Sequence, residues 1–185
     1  MFNLLEKLKS HKPFDEKEKI STQKTIEFLK SDTNCFSRTN LKAHITAGAL
    51  VCNTNGKILL NHHKLANMWM QFGGHSDGNE NSFEVALREV QEESGIKNFV
   101  NLSDEIFDVN HEVIENRPHK NEPEHIHFDI NFLFVTENEN FVVSDESKSI
   151  KWVFLSEAKK LVSPNDHGMI RMLKKYEQLL NKNAK

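Results

Sequence analysis

The stretch Gly73 to Ile96, GGHSDGNENSFEVALREVQEESGI, constrains this 185-residue chain more than any other. Paired glycines let the backbone approach neighbours that a side chain would hold off. The loop from His75 to Asn81 carries Asp77, Gly78, Asn79 and Glu80, all turn-compatible or polar types. A helix should follow, capped by Asn81 or Ser82, with Glu84 in its first turn and Gly95 just past its end. At about 100° per residue, Phe83, Ala86, Leu87 and Val90 fall on one face as the expected buried stripe. On the other face Glu89 and Glu93 stand one turn apart, Glu92 lies beside them, and Arg88 precedes Glu92 by a turn. Such crowding costs a few tenths of a kcal/mol per like-charged pair, and one arginine offsets only part of it. A cluster of hard oxygen donors suits a hard cation, Mg²⁺ or Mn²⁺.

Gly74, five residues, Glu80, seven residues, Arg88-Glu89-Val90, one residue, Glu92-Glu93, one residue, Gly95-Ile96 fills every fixed position of a Nudix box, and the chain resembles the Nudix (MutT-type) hydrolase superfamily. The resemblance implies an α/β fold, a mixed β-sheet sandwiched between α-helices, with the family pattern running from about Ala43 to Lys175. It also implies that Glu89 and Glu93 are the principal metal ligands, with Glu92 in the same shell or holding Arg88, and the Gly73 carbonyl as a further ligand. Glu80 and Arg88 would tie the loop to the helix. The general base varies in this superfamily between a box glutamate and a carboxylate on a distant loop, for which Asp145 and Glu146, shortly before Trp152, are the candidates.

The implied reaction is attack of water on phosphorus in a diphosphate linkage of a nucleoside diphosphate joined to another moiety. Divalent metal would neutralise the phosphate oxygens and activate the water. Two other readings use the same fold. A sensor that binds a nucleotide or nucleotide-sugar without cleaving it should show eroded acidic positions, and none is eroded here. An isomerase of this fold would need a catalytic cysteine, and Cys52, on an expected strand, has no supporting motif.

Composition narrows the setting. A net charge of −3 offers no basic footprint for nucleic acid. With 28% charged and 37% apolar residues the chain reads as globular, most simply as one domain with an N-terminal extension. MFNLLEKLKSHK has no apolar core of signal-peptide length, and no uncharged run approaches the roughly 20 residues of a membrane span, so a cytoplasmic location is expected. Cys35 and Cys52 lack metal spacing and read as free thiols.

Residues 1–40 are expected to form a helical extension broken near Pro13, with stripes of Phe2, Leu4, Leu5 and Leu8, then Ile20, Thr25, Ile26, Phe28 and Leu29. It would pack on residues 41–185, support a homodimer, or cover the substrate pocket. Ala43 to Cys52 and KILLNHH, joined by a turn at Asn53 to Gly56, read as a hairpin. A short strand from Met68 to Phe72 would run into the glycines and place Trp69 and Gln71 at the mouth of the acidic site. Strand is also expected over Phe99 to Leu102 and Ile106 to Ile114, an exposed loop over 115–124, a last strand at SIKWVFL, and a closing amphipathic helix.

In EHIHFDINFLFV, Ile126, Phe128, Ile130, Phe132 and Phe134 alternate with His125, His127, Asp129 and Asn131, the period of a strand with one face in the core. His125, His127 and Asp129 share the other face, either lining the substrate pocket through phosphate or metal contacts or forming a solvated face. His111 and Glu112 are candidate cross-strand neighbours of that row. Further candidate selectors of substrate are Arg38, His62, His63, Trp69, His75 and His119.

Overall fold

Strand β1 (Ala43–Asn53) is buried from end to end, and its alternating side chains build two cores at once. In the computed structural model, which describes residues 2–100, 102–116 and 123–183, β1 is flanked along its whole length by the parallel strand β6 (His125–Thr136). Its other edge pairs antiparallel with β2 (Lys57–His63) and β4 (Phe72–His75). Outward from these, β3 (Met68–Met70) and β7 (Ser147–Phe154) pair with β2, and β5 (Asp108–Ile114) pairs with β6, giving a mixed seven-stranded sheet.

One face of the sheet carries Ile45, Ala47, Val51, Phe128, Ile130, Phe132 and Phe134 against helices α1 (Leu4–Ser10), α2 (Glu16–Ser31) and α3 (Ser82–Ser94). The other carries Leu50, Cys52, Ile58 and Leu60 against α4 (Leu155–Leu161) and α5 (His167–Asn183). The expected α/β/α sandwich is therefore present. No helix among the described residues is long and apolar enough to cross a membrane.

The N-terminal extension shares the domain's core through Leu4 and Leu8. The helix break near Pro13 is observed, and of the expected second stripe Thr25 is buried and Ile26, Phe28 and Leu29 pack against the core. Ile20 is exposed, and α2 turns Glu18, Ser21, Thr22 and Thr25 inward. The reason lies 157 residues away: Lys175 of α5 donates to the fully buried Glu18. Arg171 forks onto both Asp108 oxygens at 2.7 Å, and Lys175 reaches the same carboxylate at 2.8 Å. Burial works against the Glu18 charge, but hydrogen bonds from His11, Lys175 and the Phe14 amide outweigh it and hold its pKa down at about 2. A polar helical face is buried here because charge on two other elements completes it.

Two expected strands are shorter than periodicity suggests. Between Phe99 and Leu102 only Val100 bridges, to Val135, Asn101 lying outside the described residues. Ile106 and Phe107 precede β5, where the Phe107 amide donates to Asn131 and its carbonyl accepts from Lys175. Of the loop expected over 115–124, residues 117–122, and with them His119, lie outside the described residues.

Candidate active site where the acidic helix meets β4

Helix α3 begins at Asn81, whose side chain accepts from the Glu84 amide, and ends at Gly95 in the left-handed region at φ 72°. Val85, Ala86 and Val90 are fully buried. Phe83 is only half-buried and packs edge-on to Phe132 and Phe134 at 5.5 and 5.7 Å. The expected stripe of Phe83, Ala86, Leu87 and Val90 packs in the core, joined by Val85, and the acidic side also enters the fold: Glu93 is 6% exposed.

The double glycine explains how. A Cβ on Gly74 would stand 2.5 Å from the Glu89 carboxyl group, so the absent side chain is the space that carboxylate occupies. A Cβ on Gly73 would meet the backbone of Gly48 at 2.7 Å, and the Gly73 amide donates to Glu93 Oε2 at 3.4 Å. Glu89 and Glu93 therefore converge on β4. Burial, then the neighbouring Glu89 charge, push Glu93 up to about 8, and burial raises Glu89 as well.

Arg88 sits at the rim. It donates to the His75 carbonyl at 2.9 Å and pairs with Glu89 at 2.8 Å and Glu92 at 3.8 Å. The Glu92 side chain is 61% exposed and pairs with Arg88, and its charge also acts on Glu89 and Glu93. Glu80 is exposed. The loop is held instead by the fork of Arg38 onto Asp77, by the Gly78 amide on the Phe36 carbonyl, and by the Asn81 cap.

Glu146 lies within electrostatic reach of both Glu89 and Glu93 and 3.7 Å from His63 Nε2. Asp145 contributes its carbonyl to Lys64. Of the two loop carboxylates, Glu146 is the one joined to the cluster.

The row His125, His127, Asp129 is not a solvated face. Parallel pairing sets His44 opposite His127 and Thr46 opposite Asp129, and β5 adds Glu112 opposite His127 and Asn110 opposite Asp129. His75 follows Gly74 on β4 and its ring stands 5.0 and 5.2 Å from those of His44 and His127. Burial pushes Asp129 up to about 6, against hydrogen bonds from Thr46 and Asn110. Gln71 donates to Asn131 at 3.4 Å on this face.

Trp69 lies elsewhere, stacked on His62 at 4.9 Å and under Lys151, and packs on the α4 side. His111 is on the opposite face, bonded to Ser21 and Lys24 of α2. A cavity of about 400 Å³ lined by His11, Phe14, Ile106, Phe107 and Lys175 shares no residue with the acidic cluster. His44, Thr46, Asn110 and Asn131 were not singled out as site residues from the sequence. The signal was present in AHITAGALVC, where His44 and Thr46 alternate with core residues, but only the parallel partner shows what they face.

Residues 42–176 match the NUDIX domain family. The chain belongs to the Nudix family and is, in class, a Nudix hydrolase. Among solved structures it is similar to an Ap4A hydrolase of C. elegans, at 20% identity and TM-score 0.56 over 75% of this chain and 98% of that one. It is also similar to the E. coli dihydroneopterin triphosphate pyrophosphohydrolase, at 15% identity and TM-score 0.54 over 75% and 95% of the two chains. A MutT protein from Methanosarcina mazei Go1 aligns at 22% identity and TM-score 0.50 over 78% and 97%. Among curated proteins none matches.

Proposed function

We propose that the protein is a Mg²⁺- or Mn²⁺-dependent pyrophosphohydrolase that cleaves a diphosphate linkage in a nucleoside diphosphate joined to another moiety. The observation that carries this reading is the convergence of Glu89 and Glu93 on the β4 glycines, with Glu146 in electrostatic reach. Burial, and after it the charge of the neighbouring Glu89, raise Glu93, and the donors of the pair are all hard oxygens. That donor set fits a hard divalent ion and fits neither zinc-type sulfur nor imidazole chemistry.

Glu89 and Glu93 are the proposed ligands, and the carbonyl of Gly73, whose amide donates to Glu93, is proposed as a further one. A bound divalent ion supplies charge neutralisation at the scissile phosphates and a water of lowered pKa. Arg88 fixes the end of β4 through the His75 carbonyl and is itself steadied by Glu92. Glu146 is the proposed proton acceptor for the attacking water, with His63 as its neighbour. Gln71, His75 and Asp129 line the polar face that leads away from the acids and are the proposed substrate contacts. Trp69, packed with His62, is a weaker candidate on this geometry.

The similar solved proteins act, by their names, on Ap4A and on dihydroneopterin triphosphate. A substrate panel should therefore include dinucleoside polyphosphates and nucleoside triphosphates beside nucleotide sugars. Turnover is expected only with Mg²⁺ or Mn²⁺, and retention of full activity by Glu93→Gln would remove that residue from the site. Tight nucleotide binding without any turnover would favour the sensor reading.

A further inference from the structure

Three imidazoles, His44, His125 and His127, are packed together on the polar face of β1 and β6. Their ring centroids are 4.7 to 4.9 Å apart, and one nitrogen from each lies within 4.8 Å of the others. His44 and His125 are buried, at 3% and 7% exposure. Packing three basic rings where protonation would set cation against cation needs an explanation, and their hydrogen bonds give one.

His125 Nδ1 lies 2.8 Å from the Pro123 carbonyl, and His44 Nδ1 lies 3.1 Å from the Asn40 carbonyl. A carbonyl can only accept, so each Nδ1 carries the proton and each neutral ring presents Nε2 as a lone pair. This backbone-fixed tautomer is how metal-ligating histidines are oriented. The third ring, His127, donates its Nε2–H to the His125 Nε2 lone pair at 3.0 Å, a proton that a bound metal ion would displace. Tetrahedral zinc, with Zn–N of about 2.0–2.1 Å, separates its donors by about 3.3 Å. The His125–His127 pair is already near that spacing, and a ligand nitrogen of His44 lies within 4.8 Å of both.

We propose that His44, His125 and His127 form a second metal site, for an imidazole-preferring ion of the zinc class, distinct from the acidic site for Mg²⁺ or Mn²⁺. Imidazoles favour Zn²⁺, Co²⁺, Ni²⁺ and Cu²⁺ over hard cations. Three histidines leave one coordination position for water or an anionic oxygen, the donor count of zinc sites that exchange a ligand. The two sites meet at β4, where Gly74 faces Glu89 and the next residue, His75, adjoins His44 and His127. The proposal assigns His125 and His127 to the ion in place of direct contact with substrate. A competing group, Glu112, His127 and Asp129, shares one ligand, but Asp129 is already engaged by Thr46 and Asn110.

The test is titration of the metal-free protein with Co²⁺, read by its visible ligand-field bands, and with Zn²⁺ by calorimetry. Both are run in a Glu89→Gln/Glu93→Gln background so that the acidic site is silent. One ion per chain is expected, with bands of four-coordinate Co²⁺ that are unchanged in Glu112→Gln. His44→Gln and His127→Asn should each weaken binding at least about tenfold, while metal-free circular dichroism shows the fold retained. His127→Cys should keep the site and add a sulfur-to-cobalt charge-transfer band, which holds the test even where another variant folds poorly. Absence of the bands in the acidic-site variant would overturn the proposal. So would bands undiminished in His44→Gln and His127→Asn, loss of the bands in Glu112→Gln, or no charge-transfer band in folded His127→Cys.

Discussion

Glu89 reaches its place only because Gly74 has no side chain, and this separates the role of Gly74 from that of Gly48 on β1. In Gly74→Ala the new methyl meets the flexible end of Glu89 at 2.5 Å. The carboxylate swings aside, so turnover should drop at least about tenfold while the metal-free unfolding free energy moves by less than about 1 kcal/mol. In Gly48→Ala the methyl meets the Phe72 carbonyl, which is backbone and cannot yield. That variant should lose about 1–3 kcal/mol of stability in denaturant titration. Glu93 gives a further pair of outcomes. Because its folded pKa is raised from 4.5 to about 8, the metal-free fold favours its protonated form. Stability from this group is present below about pH 4.5 and is lost as pH rises through 8. Mg²⁺ or Mn²⁺ should therefore raise the melting temperature more at pH 8 than at pH 5, and Glu93→Gln should remove that increment and cut turnover about 10²-fold or more.

At the scale of elements, α2 is held by buried charge as well as by the apolar contacts of Ile26, Phe28 and Leu29. Glu18 is fully buried among His11, Lys175 and Arg171. Removing it by Glu18→Ala takes from Lys175 one of its two carboxylates and leaves the Val109 and Phe14 amides without their acceptor, and a loss of about 3–5 kcal/mol is expected in chemical denaturation. The pH dependence has a definite sign. The folded pKa of Glu18 is lowered from 4.5 to about 2, so its contribution is complete above about pH 4.5 and disappears as pH falls toward 2. The wild-type acid-unfolding curve should thus include a component between those limits that Glu18→Ala lacks.

At the scale of the whole molecule, what could be read from the sequence depended on whether its cause was local. The acidic helix, its Asn81 cap, its Gly95 stop and the β1–β2 hairpin follow from short-range pattern and are present as expected. The His125 row was visible as one face of a strand, but its meaning depends on His44, which arrives through a parallel pairing of strands about 80 residues apart. The buried face of α2 was hidden because Glu18 is completed by Lys175, at a separation no periodicity can register. The fold's middle layer thus assembles a local acidic motif, a nonlocal row of imidazoles and a loop carboxylate around one short strand, β4. The central claim is that Glu89 and Glu93 of α3, converging on that strand, hold the divalent ion that drives diphosphate cleavage. The most direct measurement is phosphorus NMR of products from a panel of nucleoside diphosphate derivatives, with wild type and Glu93→Gln, each with Mg²⁺ or Mn²⁺ and with chelator. The account predicts metal-dependent cleavage of a P–O–P linkage by wild type, lost with chelator and in Glu93→Gln. Cleavage that survives chelation, or that proceeds undiminished in the variant, would contradict it.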